Sequence, residues 1–440
     1  MSQTMSAAPA TRTPSAPQPA GKPQAATGTS GTRSQVSSWF AGTPGRLRAV
    51  LVLTAAITVL FGLAAAQGFR QADGALNRAE ANTAQLVRIQ AIHTNLVSAN
   101  ADATNAFLVG GLEPPAQRQH FTDSMSTASR LVAEAAKAQP ADSEALGALN
   151  NTLLTYEGLI EQARANNRQG LPIGAQYLKD ASAGLQADAI PLLTALVTAN
   201  ENRVNQEFDG ASGGPLWLIG AGVVTLLVLA GALGWLARRT HRYVNLGLAG
   251  AGVVVLLTVA VGGSVLSGAS GDAKGTRDTS YASTLALSRA RIAAYDAKSN
   301  ESLTLIARGS GASFETAWKT AAGTVGDQLS KAGQSAGSLL QPWSDYANAH
   351  QGIRKLDDDG NWDEAVQLAI GSAPASANKT FDSFDQASGQ SLSTASTAAQ
   401  RELHDAGGSL PLLAWLGLPL GLVAALLAWW GLSQRLEEYR

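Results

Sequence analysis

Six side chains stand out as able to recognise a ligand or a partner: His93, Asn100, Arg164, Tyr295, Ser299 and Arg354. His93 and Asn100 are seven residues apart, two turns along one helix face, and both carry hydrogen-bond donors and acceptors. Tyr295 and Ser299 form a similar polar pair later in the chain. Arg164 and Arg354 each follow a tyrosine (Tyr156, Tyr346) by eight residues. A guanidinium grips carboxylates in bidentate fashion. The chemistry implied is recognition: a polar layer for a small ligand, and two arginines for an acidic ligand or a partner's carboxylate. Plainer roles compete with each. A polar layer in a helix seam fixes register, and an arginine on a bundle pairs with its own neighbours.

Reaction chemistry leaves no comparable mark. The sequence has no P-loop, dinucleotide glycine fingerprint, nucleophile elbow, HExxH or kinase signature. Its histidines (His93, His120, His241, His350, His404) are scattered and offer no ligand pair. The 440 residues include no cysteine, which excludes disulfides, thiolate metal sites and a cysteine lipid anchor. We therefore expect no catalytic residues, no metal and no cofactor. A net charge of −1 gives no field suited to nucleic acid.

The elements that must position these residues follow from where charge is missing. Charged residues are only 15% of the chain, well below a soluble average. Four stretches lack charge over membrane-spanning length: 49–67 (within a first span taken as 46–67), 215–237, 244–267 and 410–432. About 20 apolar residues suffice for a helix to cross the hydrocarbon core. No ionisable residue lies within these spans, which disfavours ion-coupled transport. Gly417 and Gly421 form a GxxxG pattern, the mark of close helix packing in lipid. A cleaved signal peptide ending near Ala64–Gln67 is the rival to the first span; the apolar run is long for one, and a long tail precedes it.

The flanks set an orientation. Arg46 and Arg48 precede the first span, Arg238, Arg239 and Arg242 fill the 238–243 turn, and Arg435 and Arg440 follow the last. Positive charge marks the cytoplasmic side. The expectation is a multi-pass plasma-membrane protein with both termini cytoplasmic. Residues 1–45 form a disordered cytoplasmic tail, 238–243 a cytoplasmic turn and 433–440 a short cytoplasmic tail. The arginine turn (Arg238, Arg239, Arg242) is a topology signal first and a docking site for a cytoplasmic protein second.

Residues 68–213 and 268–408 are then extracytoplasmic. Both show helical periodicity broken by turn signals, near 110–115, 140 and 170–172 in the first and near 309–311, 342 and 357–360 in the second. Four helices each are expected, the last of the second starting at a capped Asn361. In the first, Leu86, Ile89, His93, Leu96, Asn100, Ala103 and Phe107 follow heptad spacing. A shift of 199 residues maps this seam onto Leu285, Ser288, Ile292, Tyr295, Ser299, Ser302 and Ile306, and carries Asp102 onto Glu301 and Gly110 onto Gly309. A shift of 190 maps Tyr156, Arg164, Gly170, Ala175 and Leu178 onto Tyr346, Arg354, Gly360, Ala365 and Leu368. Two blocks in one order point to duplication. The fold class expected is all-α: an integral membrane protein with four transmembrane helices and two duplicated extracytoplasmic four-helix bundles, each on a two-helix stalk. The two bundles can also pack together as a built-in dimer.

This layout resembles the four-helix-bundle ligand domains of bacterial chemoreceptors and sensor kinases. It departs from them after the fourth span, where no kinase, HAMP or methyl-accepting region follows. Over residues 46–440 it is similar to the GlnX-type membrane signalling proteins of actinobacteria, which share four spans, two outer helical domains and a short arginine-bearing inner turn. That resemblance implies a non-catalytic relay. An amino-acid-binding, solute-binding lipoprotein of the GlnH type would meet the outer domains, and the signal would pass to a cytoplasmic Ser/Thr protein kinase such as PknG. A direct small-molecule receptor and an envelope-organising protein are the alternatives.

Overall fold

The computed structural model describes residues 42–109, 112–240 and 245–437, and every regular element among them is helical. Most of the tail expected to be disordered lies outside the described residues, as do Arg242 and residues 438–440. Helix α1 (Gly42–Val109) is continuous for 68 residues, about 100 Å at 1.5 Å per residue. The first head bundle continues with α2 (Pro115–Ala138), α3 (Ser143–Arg168), α4 (Ile173–Gly184) and α5 (Ile190–Ala211), with a π-turn at Leu185–Ala189 joining the last two. Helix α6 (Gly214–Thr240) and α7 (Leu246–Thr276) are apolar and antiparallel in sequence order. Through a second π-turn (Arg277–Tyr281), α7 leads into the second bundle: α8 (Ala282–Ile306), α9 (Ala312–Ala332), α10 (Leu340–Asp358), α11 (Trp362–Ile370) and α12 (Ala377–Gly407). Helix α13 (Leu410–Glu437) ends the chain's described part.

Turn chemistry explains the breaks. Pro115 opens α2 at its first position, where a missing N–H costs nothing. Gly170 (φ +67°) and Gly360 (φ +84°) sit just past the ends of α3 and α10. Both occupy the left-handed position that closes a helix and that other residues reach only with strain. Two breaks in the second bundle differ from expectation. Pro342 lies in the first turn of α10, which tolerates proline; the real break is the 3-10 segment Gly333–Leu339, entered by Gly333 at φ +57°. The expected fourth helix is also two helices. It stops at Ile370, and α12 restarts after 371–376 with Ser376 capping the Lys379 amide (3.4 Å). Asn361 does precede α11, but its side chain makes no cap bond.

Among the described residues four helices are long and apolar enough to cross a membrane, their apolar stretches lying in α1, α6, α7 and α13. In the ring they make, α1 packs on α13 and α6, and α7 packs on the same two. Their outer faces carry Leu53, Leu60, Leu227, Val253, Leu256 and Leu426, all more than half exposed, as lipid-facing side chains are. The small residues work inside the chain. A Cβ on Gly62 would lie 2.8 Å from the Gly421 Cα, so α1 and α13 touch backbone to backbone. Asn245 clamps one end of the ring: its Oδ1 accepts from the amides of Gly247 (3.1 Å) and Leu248 (3.2 Å), and its Nδ2 donates to the Gly431 carbonyl (2.6 Å).

The stalk is a correction to the two-helix picture. One continuous core runs from Leu51 and Phe61 through Phe69 and Leu76 to Leu86, joined by Val204, Phe208, Ala273 and Leu403. The stalk halves thus merge into a single four-helix column on the membrane bundle. Above it each head has its own core, one around Ile89, Leu96, Leu149 and Tyr156, the other around Leu287, Ala294, Trp318 and Tyr346.

Candidate functional site

Helix α1 of the first head packs along α8 of the second, and their contact is built around one amide. The Asn100 Nδ2 donates to Ser299 Oγ (2.7 Å), the residue 199 positions later. Its Oδ1 accepts from Ser182 Oγ on α4 (2.8 Å) and Tyr156 OH on α3 (3.3 Å). Asn100 and Ser299 are buried, so this one side chain ties three helices of its own bundle to the neighbouring one. Asn105 Nδ2 to Asn378 Oδ1 (3.1 Å) adds a second link nearer the tip.

Beside this layer lies a cleft of about 940 Å³ between the heads. Helices α1, α4, α5, α8 and α9 form its wall. His93, Asn100 and Ser299 all line it, together with Asp296, Gln186 and Gln328. The wall is mostly apolar, with Val197, Ile292, Leu303 and Phe314 among its residues. Such a mix of apolar wall and a few fixed polar groups is what small-molecule pockets present. Several polar atoms on the wall's residues have no partner: His93 Nε2, both amide atoms of Gln90, and Gln328 Oε1. Buried polar atoms are nearly always satisfied, so unpaired ones need a reason. Burial pushes the His93 imidazole down to about 4, keeping it neutral. Burial also lifts Asp296 to about 6, partly offset by the hydrogen bond from Gln186 Nε2 (3.3 Å).

The remaining sequence-derived residues lie elsewhere. Tyr295 packs edge-on to Phe381 (ring centroids 5.1 Å apart) and bonds toward Asp385, on the α12 side of α8. Arg164 is near the membrane-distal end of the first head. It pairs with Glu113 (2.9 Å) and Glu161 (2.8 Å) and lies over the Phe121 ring. It borders a smaller pocket of about 250 Å³ with Leu112, Arg118 and Arg168. Arg354 is held by Asp357 (2.6 Å), Asp358 and Glu315. Both guanidiniums are therefore occupied by carboxylates of their own bundles. Arg238 is exposed at the end of α6; the Arg239 side chain and Arg242 are outside the described residues.

Sequence reasoning missed Asp296 and Gln328. The first had a signal: Asp296 stands one turn before Ser299 on the same face of α8. Gln328 had none, because α9 was not recognised as a wall. It also missed a buried ionic network in the second head. His350 sits between Glu301 (Nδ1, 3.1 Å) and Glu315 (Nε2, 3.1 Å), stacked 3.6 Å over Trp318. Lys298 pairs with the same Glu301 at 2.6 Å.

Comparison with known proteins bears on the first head. Residues 75–209 match the model of a family described as the actinobacterial sensor domain. That stretch runs from the stalk of α1 through α5, and it supplies His93, Asn100, Ser182 and Gln186 to the cleft. No curated protein and no solved structure matches the chain. The match supports a sensing or signalling role, in a chain with four helices, among the described residues, long and apolar enough to cross a membrane.

Proposed function

We propose that the chain is a transmembrane sensor whose ligand compartment is the cleft between the two heads. A small molecule seated there would change how α1 packs on α8. The observation that carries this reading is continuity. The cleft is walled by α1, which runs unbroken into the membrane bundle, and by α8, which reaches it through one π-turn and α7. A shift or rotation of either helix in the head has a direct path to the far side of the membrane. In this reading the heads are extracytoplasmic, both termini are cytoplasmic, and the arginine turn (Arg238, Arg239, Arg242) faces a cytoplasmic partner such as a Ser/Thr protein kinase. Amino acids are the first ligand class to try, following the resemblance in layout. The two heads are copies of one unit; the Asn100–Ser299 bond between matched positions and the shared left-handed Gly170 and Gly360 support this.

The cysteine-free sequence makes the test direct. Nitroxides at Gly234→Cys and Gln434→Cys report the spacing of α6 and α13, which stand across the ring from each other. In nanodiscs, a pooled set of amino acids and amines should change that distance distribution. The cleft-filling Ala317→Trp should suppress the change while leaving the helical circular dichroism intact. A response that survives Ala317→Trp unaltered would remove the cleft from the mechanism.

A second reading places a ligand-loaded solute-binding lipoprotein on the heads. It is favoured by the membrane-distal end of the first head, where Leu112 (84% exposed), Leu171 and Ile173 present apolar side chains to solvent. Photocrosslinkers at Leu112 and Leu171 in living cells should capture such a lipoprotein. Capture at Leu154, exposed on α3 away from that end, should not occur.

A further inference from the structure

The unpaired buried polar atoms on the cleft's wall are mostly acceptors, and we propose that the cleft takes a small molecule with a primary ammonium group. The Asp296 carboxylate is its counter-ion, and His93 Nε2 is an unpaired acceptor on the same wall. This rests on the cleft being the ligand compartment and names what that compartment selects.

Asp296 is half-buried in the wall, and its one hydrogen bond there is the neutral amide of Gln186. Among the described residues no lysine or arginine pairs with it; of the cleft's cations, Arg289 is taken up by Glu201 on α5. An acid placed among Ile292, Leu303 and Phe314 without a cation is unfavourable unless something neutralises it. Protonation is one route, and its raised pKa of about 6 shows that pull. A ligand ammonium is the other. His93 does not compete for the role of cation, since burial holds it neutral, and a neutral imidazole keeps one ring nitrogen as an acceptor. Gln328 Oε1 and Gln90 Oε1 are further unpartnered acceptors, against one unpartnered donor, Gln90 Nε2. That excess of acceptors suits the N–H donors of an ammonium; Lys179 on the same wall is where an anion would bind instead, which 4-methylpentanoate tests. The apolar remainder of the wall suits an aliphatic body.

The pH dependence follows from the groups that face the cleft. These are His93 from α1, Lys179 and Asp180 from α4, and Arg289 and Asp296 from α8, while α9 contributes no titratable group. Binding needs ionised Asp296. Affinity should therefore be full above about 7 and fall as pH drops through about 6.

Full-length protein in nanodiscs is titrated with 1,4-diaminobutane, L-leucine, choline and 4-methylpentanoate, reading thermal unfolding shifts. The first two carry primary ammonium groups and separate a polyamine from an amino-acid source. Choline lacks N–H donors, and 4-methylpentanoate is leucine without its amine. At least one primary amine should bind, and Asp296→Asn should weaken it about tenfold or more. Choline and 4-methylpentanoate should be silent. Because Asp296→Asn keeps an acceptor for Gln186, its unliganded melting temperature should stay close to that of the parent. If that variant fails to fold, the loss of affinity below pH 6 in the parent chain decides instead. Equal binding to parent and Asp296→Asn overturns the ammonium assignment. So does binding of 4-methylpentanoate or choline alone, which would leave the cleft standing as a compartment for other ligands. If no probe binds, the ammonium assignment also falls, and the Ala317→Trp distance measurement decides separately on the cleft.

Discussion

The two heads place an acid at matched positions on α1 and α8, half-buried as Asp102 in the first and fully buried as Glu301 in the second, and they treat it in opposite ways. In the second head, burial would raise Glu301, but the Lys298 ammonium and His350 pull it below the usual range. Both ring nitrogens of His350 meet carboxylates, at 3.1 Å each, so the imidazole donates twice and is charged. Burial alone would lower it; Glu301 and Glu315 raise it. In the first head the counterpart is Asp102. No cation pairs with it among the described residues, and its Oδ2 has no hydrogen bond. Burial first, and then the negative charges of Asp382, Asp385 and Glu113, push it up to about 7, with Arg164 opposing. Asp382 and Asp385 belong to the other head, so this acid is set by the inter-head packing while Glu301 is set by its own bundle. The second head uses the position as an internal anchor. The first leaves it responsive to its neighbour.

The largest expected effect comes from breaking the anchor. Glu301→Gln leaves Lys298 and His350 buried with one shared counter-charge removed. Deleting one partner of a buried pair typically costs about 3–5 kcal/mol. Denaturant unfolding of the detergent-solubilised chain, followed by pulsed proteolysis, should show the second head opening first. Asp102→Asn, at the same place in the first head, should not destabilise at neutral pH. Comparable losses from both substitutions would mean that the contrast between the heads is not electrostatic.

Much of the first head was legible in sequence, and less of the second, for a physical reason. Leu86, Ile89 and Leu96 are large, spaced by three and seven, and fully buried; periodicity of bulky side chains is the strongest signal a sequence carries. The core of α8 is instead made of Ala286, Ala290, Ala293, Ala294 and Ala297 together with Leu287 and Leu305. Alanine-lined helices pack closely on more than one side, so the mapped residues Leu285, Ile292 and Ile306 end up only partly buried. Asn100 was legible as a seam residue, but its Ser299 partner could be expected only through the repeat. Asp296 was not legible, since what marks it is the missing cation around it and a Gln186 donor from the other head. The 371–376 break was available in its glycine and proline, and the capping pattern at Asn361 drew attention away from it.

A middle-sized effect should separate the heads by pH. The folded pKa of Asp102 lies above its ordinary value of 3.8. Its contribution is thus fully present below about 4 and is lost as pH rises through about 7. Glu301 and Glu315 are lowered, so what they contribute is present above about 4.5 and lost at more acid pH. His350 is raised, and its share persists below 6.5 and is lost as pH climbs through its elevated value. Between pH 4.5 and 6.5 the Glu301–Glu315–His350 anchor should hold its full ionic stabilisation while the Asp102 contribution is already being lost. His93, lowered to about 4 on the same helix, gains stability as pH rises to 6.5 and opposes this. By hydrogen exchange corrected for intrinsic rates, the Asp102 share is therefore read as the difference in α1–α3 protection between the parent and Asp102→Asn, which should fall over pH 4.5 to 7 by about 1–3 kcal/mol. Asp102→Asn should leave the rising His93 slope in the first head and alter nothing in the second. A slope unchanged by Asp102→Asn would assign it to another group.

The smallest effect tests the matched tyrosines. Tyr156 donates to Asn100 Oδ1 over a long 3.3 Å, and that oxygen keeps Ser182 at 2.8 Å when the hydroxyl is removed. Tyr156→Phe therefore strands no polar atom and should cost about 0.5 kcal/mol or less. Tyr346 accepts from Trp318 Nε1 at 3.2 Å and also bonds toward Glu301. Tyr346→Phe leaves the indole N–H buried without an acceptor and takes one hydroxyl from the anchor. About 1–2 kcal/mol is expected. The indole itself reports the change, because Trp318 lies flat on the charged His350 ring and the first head, 68–213, contains no tryptophan. The Trp318-dependent part of the emission, taken as the difference from Trp318→Phe, should rise with pH as His350 loses its charge. Tyr346→Phe should move that rise to lower pH, since a looser Glu301 holds the imidazolium less firmly, whereas Tyr156→Phe should leave it in place. Equal shifts from both would show that the heads share one ionic system through the α1–α8 contact.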